Sequence, residues 1–209
     1  MKMWRKKLVP RLPTSLDEYV NLINSEAWRE KYTRYDGGDI SVTCLRANAG
    51  SKVAVFADLN YLRSLQVENF HVDGTFAVCS RRPRTLQLVI IMATIDDTVL
   101  PIAWALTERK NVATYLALLR YFKNIAAIHW RPKTFTIDFE QALSSAIRMV
   151  YPRARIIRCF FHYCQGRAVR DPPARQYVIQ DAIIARAWEL YDDGVLNNEK
   201  FLTATSHFL

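Results

Sequence analysis

The chain has 209 residues, half of them apolar, and 29 basic against 20 acidic residues give it a net charge of +9. This composition predicts one folded domain of ordinary size, or one with a short appendage, and argues against disorder. No apolar run approaches the roughly 18 residues that a membrane span needs. Four cysteines are too few for a disulfide scaffold, so we expect a reducing compartment. The charge suits a polyanionic partner, although an ordinary basic protein explains it equally well.

Residues 1–66 are predicted to form a lead region that is mostly helical with a short strand. Apolar residues at helical spacing predict a helix over 15–31. Ser15 and Glu18 have the spacing of a capping box at its start. A run of β-branched and aromatic residues predicts the strand at 53–56. This region carries no recognisable chemistry.

From residue 69 the pattern predicts strands and helices in an order typical of a mixed sheet with helices on its faces. The predicted strands are 69–79, 86–93, 99–106, 133–137 and 154–157, and the helices are 112–126 and 139–150. Pro101 lies inside the third strand, which indicates an edge position or a bulge. The fold class is therefore α/β (an α+β mixed sheet), and the order matches a ribonuclease-H-like core over 67–170. Residues 171–209 are expected to form a helical C-terminal segment.

Two aspartates, Asp73 and Asp138, each stand at the edge of an apolar run. In a sheet of this order the first and fourth strands lie side by side, so the two carboxylates would meet and could share a divalent metal ion. Each residue also has a structural explanation. Asp73-Gly74 could be the turn of a β-hairpin, and Asp138 with Gln141 three residues later could cap a helix.

Six short segments in this part of the chain resemble the Mutator-like element (MULE) transposases. In order they are Asp73-Gly74-Thr75-Phe76, Gln87-Leu88, Pro101-Ile102-Ala103, Thr114-Tyr115-Leu116, Asp138-Phe139-Glu140-Gln141-Ala142 and Cys159-Phe160-Phe161-His162-Tyr163-Cys164-Gln165. They cover residues 70–165, somewhat under half of the chain. The resemblance implies a nuclear enzyme that cuts and rejoins double-stranded DNA at transposon ends and target sites. It implies no membrane and allows a homo-oligomer.

The resemblance also implies a catalytic site of three acids with Mg²⁺ or Mn²⁺, in which Asp73 matches the first acid and Asp138 the second. The third acid of such enzymes is a glutamate that follows a long helical insertion. Glu189 is too close to Asp138 for an insertion of usual length, and a surface glutamate is the commoner case. We therefore expect an incomplete or decayed transposase. The alternatives are a non-catalytic DNA-binding protein derived from a transposase and a metal-dependent ribonuclease or exonuclease of the same fold.

Cys159 and His162 belong to the closing segment of the resemblance, and their role is open. They supply two ligands where a zinc site needs four, with Cys164 as a third candidate. Packing by a buried cysteine and a hydrogen-bonded histidine is the alternative.

A set of arginines could bind DNA phosphates without reading bases. They are Arg81, Arg82, Arg84, Arg155 and Arg158. A solvated basic face is the alternative explanation.

Overall fold

A seven-stranded mixed sheet organises the described part of the chain. The computed structural model describes residues 11–48, 50–76, 79–80, 82–160 and 162. The short strands β1 (Arg34–Tyr35) and β2 (Gly38–Asp39) pair with each other outside the large sheet. The large sheet contains β3 (Ser41–Arg46), β4 (Lys52–Ala57), β5 (Asn69–Thr75), β6 (Gln87–Ile95), β7 (Thr98–Thr107), β8 (Thr134–Ile137) and β9 (Arg155–Arg158), in the spatial order β3-β4-β7-β6-β5-β8-β9.

Short helices connect and cover the strands. They are α1 (Leu16–Ile23), α2 (Glu26–Tyr32), α3 (Leu59–Ser64), α4 (Val112–Tyr121) with a π-helical turn (Phe122–Ala126), and α5 (Gln141–Val150). In the described part of the chain, no helix is long and apolar enough to cross a membrane. The predicted helical segment 171–209 lies outside the described residues.

The pairing of the central strands confirms the mixed sheet that the sequence predicts. β5, β6 and β7 form an antiparallel meander, and β8 pairs in parallel with β5. The β6–β7 turn places Asp96 at φ 47° and Asp97 at φ 64°. Both angles fit a two-residue hairpin turn, in which aspartate tolerates the left-handed region.

Pro101 is accommodated by a break in the β6–β7 register. Ile91 pairs with Ala103, whereas Met92 pairs with Pro101, so Ile102 is left over as a bulge. The pairing of β4 with β7 begins only at Trp104, so Pro101 also lies beyond the stretch that β4 covers. A proline without an N–H is tolerated at such a position.

The N-terminal region departs from its predicted structure. It contributes a whole hairpin, β3–β4, to the sheet, whereas the sequence predicted only the strand at 53–56. The predicted helix 15–31 is broken at Asn24, because that residue caps α1 and α2 begins two residues later. The predicted cap at Ser15 is confirmed, since its side chain accepts a hydrogen bond from the Glu18 N–H at 3.2 Å.

The main core lies between one face of the sheet and the helices α4 and α5. Alternate residues of β5 point into it, and Phe70 is 1% exposed. Its ring lies 4.9 Å from Trp130 and 5.4 Å from Phe135, measured between ring centroids. The sequence predicted that α5 begins at residue 139, which is wrong. The helix starts at Gln141, and Phe139 is 50% exposed.

Replacing Phe70 with alanine should destabilise the fold by about 3–5 kcal/mol, because the cavity would lie beside the buried rings of Trp130 and Phe135. Urea denaturation of the full chain measures this change. Phe76→Ala is the matched control, since Phe76 is 51% exposed and its ring lies 5.0 Å from Lys110 Nζ. The control should lose less than about 1 kcal/mol. Equal losses in the two variants would contradict this placement of the core.

Candidate active site

The C-terminal ends of β5 and β8 bring the two predicted acids to one edge of the sheet. The last parallel pair is Val72 with Ile137; Asp73 is the next residue of β5, and Asp138 directly follows the end of β8. Adjacent strands are about 4.8 Å apart. Val72 and Ile137 point into the core at 3% and 1% exposure, so alternation within β5 directs Asp73 away from the core. The two acids therefore follow paired backbone positions, and both are half-buried.

The structure rules out the hairpin explanation for Asp73. The strand β5 runs through Asp73 and Gly74 without a turn, pairing them with Ile90 and Val89 of β6. The backbone is extended at this point because both residues belong to an interior strand. The side chain is thus presented by a rigid element of the sheet.

A backbone N–H close in sequence binds each carboxylate. Asp73 Oδ1 accepts a hydrogen bond of 2.9 Å from the Gly74 N–H, and Asp138 Oδ1 accepts one of 2.9 Å from the Glu140 N–H. The second contact closes an Asx-type turn before α5. The N-cap of α5 is Glu140, so the interpretation of Asp138 as the helix cap is wrong. Both carboxylates are therefore oriented by the main chain.

A buried polar cluster lies beside this edge, on the side of the sheet that packs against α4. Gln87 of β6 is fully buried and its Nε2 donates a hydrogen bond to the hydroxyl of Tyr115, which is 1% exposed. Glu140 has a side chain that is 8% exposed, and its Oε2 lies 3.1 Å from Lys110 Nζ. The same ammonium group lies 5.0 Å from the centre of the Phe76 ring.

The electrostatics of Glu140 follow from its burial. Removal from water raises the pKa of this carboxyl above its usual range, and the nearby charge of Asp138 acts in the same direction. The Tyr115 hydroxyl and the Lys110 ammonium oppose this rise and lower the pKa. Burial likewise raises the pKa of Tyr115, so its hydroxyl keeps its proton at neutral pH.

The donor set at the edge of the sheet fits a hard divalent cation. Carboxylate oxygens are preferred ligands of Mg²⁺, which keeps several of its waters and needs few protein ligands. Asp73 and Asp138 offer such oxygens from neighbouring strands. Among the described residues, no group of three or more histidine, cysteine, aspartate or glutamate side chains could hold a metal ion. Glu189 lies outside the described residues, so its role as third acid stays a prediction.

The zinc explanation of the closing motif gains no support from the described residues. Cys159 is a half-buried free thiol, as are Cys44 and Cys79. His162 is half-buried. Cys164, the third candidate ligand, lies outside the described residues, so the role of Cys159 and His162 remains open.

The arginines predicted to bind DNA occupy different places. Arg82 and Arg84 are exposed in the connection between β5 and β6, which leaves β5 just after Asp73. Arg155 is exposed, but its N–H bonds the Lys133 carbonyl before β8. Arg155 therefore lies about 16 Å along the strand from Asp138, and its role in DNA binding stays a prediction. Arg158 is half-buried at the end of β9, and Arg81 lies outside the described residues.

A comparison with known protein families found a match in the part of the chain that contains the two acids. Residues 69–166 match the family model described as the MULE transposase domain. The match covers somewhat less than half of the chain and includes β5 to β9 with both acids. It indicates a transposase-related function and interaction with DNA. A search of curated proteins found no match.

Sequence reasoning gave no role to the buried polar cluster. Gln87, Tyr115 and Glu140 stand in segments that carry the resemblance, yet their types alone do not show that they are buried together. Lys110 lies outside the six segments that carry the resemblance, and no pattern in the sequence predicts a role for it. Glutamine and glutamate are usually exposed, so only the fold reveals their position.

Gly74 is required where β5 passes Gln87. A methyl group at this position would lie 2.9 Å from Gln87 Oε1, closer than side-chain carbons normally approach. We expect Gly74→Ala to cost about 1–3 kcal/mol of unfolding free energy, measured in urea. In a Gln87→Ala background the same change should cost much less, because the obstructing amide is gone. Equal costs in both backgrounds would contradict the contact.

Proposed function

We propose that this chain is a DNA transposase that cleaves and transfers DNA strands on a ribonuclease-H-like core, with Mg²⁺ or Mn²⁺ held by Asp73 and Asp138. The observation that carries the proposal is that both residues directly follow the last parallel pair of β5 and β8, within the segment that matches the MULE transposase domain. The order β7-β6-β5-β8-β9, with its three-stranded meander, supports the ribonuclease-H-like assignment. The same proposal places the protein in the nucleus.

The residues at the edge have distinct tasks in this proposal. The carboxylates of Asp73 and Asp138 would hold the cation, and the N–H groups of Gly74 and Glu140 orient them. When bound, a divalent ion stabilises the charge on the attacking and leaving oxygens of a phosphoryl displacement. The extended strands and the Asx-type turn limit the movement of both carboxylates, so little reorganisation is needed.

DNA would be held mainly through its phosphates. The net charge of +9 favours a polyanion, and Arg82 and Arg84 are exposed in the segment that follows β5. Guanidinium groups at such a place bind phosphates and set the position of the duplex without reading its sequence. The Lys110 ammonium is engaged with Glu140, so it is less suited to this task.

The catalytic part of the proposal is tested by nicking of supercoiled plasmid with Mg²⁺ or Mn²⁺. Asp73→Asn and Asp138→Asn should each reduce the rate about 100-fold or more, since each lost 1.4 kcal/mol or so of transition-state stabilisation costs a factor of ten. Asp97→Asn, an exposed turn residue whose positive φ suits asparagine, is the matched control and should keep the full rate.

Two results would change the conclusion. Nicking that persists in Asp73→Asn and Asp138→Asn would rule out these acids as the catalytic pair. DNA binding by wild type without metal-dependent nicking would favour the alternative function, a non-catalytic DNA-binding protein derived from a transposase.

The DNA-binding part is tested by titrating duplex DNA at several salt concentrations. Affinity should fall steeply with salt and depend little on sequence. The double variant Arg82→Ala/Arg84→Ala should reduce the slope of log affinity against log salt by about 2, because each phosphate contact contributes about 0.9. Arg63→Ala, an exposed arginine on α3, is the control and should leave the slope unchanged. A flat salt dependence in wild type would remove duplex DNA as the partner.

A further inference from the structure

The two residues that donate N–H groups to the acids are both in contact with the buried polar cluster. Gly74, which binds Asp73, lies against the Gln87 amide, and a Cβ there would come within 2.9 Å of Gln87 Oε1. Glu140, which binds Asp138, has a buried carboxyl that contacts the Tyr115 hydroxyl. The hydrogen bond from Gln87 to Tyr115 joins the two sides.

The polar groups that connect the two acid-bearing segments are buried. Gln87 and Tyr115 are 0% and 1% exposed, and the Glu140 side chain is 8% exposed. Among the described residues, Gln87 Oε1 has no hydrogen-bond partner. Buried polar atoms that are left in this way cost stability, so simple core packing does not explain why amide, hydroxyl and carboxyl groups occupy these places. Apolar residues of similar size would fill the space at lower cost.

We propose that Gln87, Tyr115 and Glu140 are positioning residues that form a bridge between the two acid-bearing segments and hold Asp73 and Asp138 at the spacing a divalent cation requires. The inference rests on the proposed metal site and adds a role for residues that do not contact the metal. Lys110 anchors the Glu140 end of the bridge through its ion pair. Hydrogen bonds behind metal ligands fix ligand orientation in this way.

The bridge is tested with Tyr115→Phe, which removes one oxygen and keeps the ring that packs in the core. The matched control is Tyr151→Phe, the same change at a buried tyrosine that follows α5, about 15 Å along the helix from Glu140. In metal-free protein, hydrogen exchange should become faster at the Gly74 and Glu140 amides in Tyr115→Phe. The control should leave both amides unchanged, even if it lowers the melting temperature equally.

The consequence for the metal site is measured by Mn²⁺ binding, followed by electron paramagnetic resonance of the full chain without DNA. Tyr115→Phe should raise the Mn²⁺ dissociation constant about tenfold, the effect expected of groups behind metal ligands. Tyr151→Phe should stay within about twofold of wild type. Glu140→Gln should weaken binding too, and its effect should not add fully to that of Tyr115→Phe, because both break one bridge.

The outcomes separate the bridge from the metal site itself. Unchanged amide exchange in Tyr115→Phe, or Mn²⁺ affinity equal to that of Tyr151→Phe, would overturn the positioning role while Asp73→Asn and Asp138→Asn still abolish binding. Mn²⁺ binding that survives both aspartate changes would overturn the proposed metal site, and the positioning role with it.

Discussion

The parallel pairing of β5 with β8 is the contact on which the rest of the site depends. The two strands are separated by the β6–β7 hairpin, α4 and the π-helical turn, so no local interaction brings them together. What joins them is burial: Phe70, Val72, Phe135 and Ile137 pack from both strands into one core with the helices. Parallel strands require such a crossover and are covered on the faces they bury. The position of the two acids is therefore fixed by the hydrophobic packing of the residues that precede them on the two strands.

Much of this framework could be predicted because it follows from the spacing of apolar residues and from the turn residues between them. The apolar runs of β6 and β7, the Asp96–Asp97 turn and the apolar stripe of α5 each obey a local rule. The order of elements then restricts the possible topologies to a few. Asp73 and Asp138 could be predicted as neighbours because each stands at the end of such a run. Here the sequence pattern and the tertiary contacts agree.

The sequence predictions that the structure contradicts have a common physical cause. Phe139 looks like the first residue of an amphipathic stripe, but the hydrogen bond between Asp138 and the Glu140 N–H holds the chain in a turn and delays the helix. The strand β3 has alternating residues of modest hydrophobicity, and its partner α1 supplies the rest of its burial. Tertiary context overrides a weak local preference in both cases. The buried polar cluster has no periodic signature, since its members come from β6, α4 and two connections.

The turn at Asp96–Asp97 has a practical consequence. It lies at the tip of a ribbon formed by β6 and β7 that extends past β4, and both aspartates are exposed. Because β6 runs antiparallel to β5, this tip is at the opposite end of the sheet from Asp73. Exposed loop tips with polar residues tolerate inserted segments best. A fluorophore or an affinity tag placed between these two residues would report on the chain from a position remote from its acidic edge.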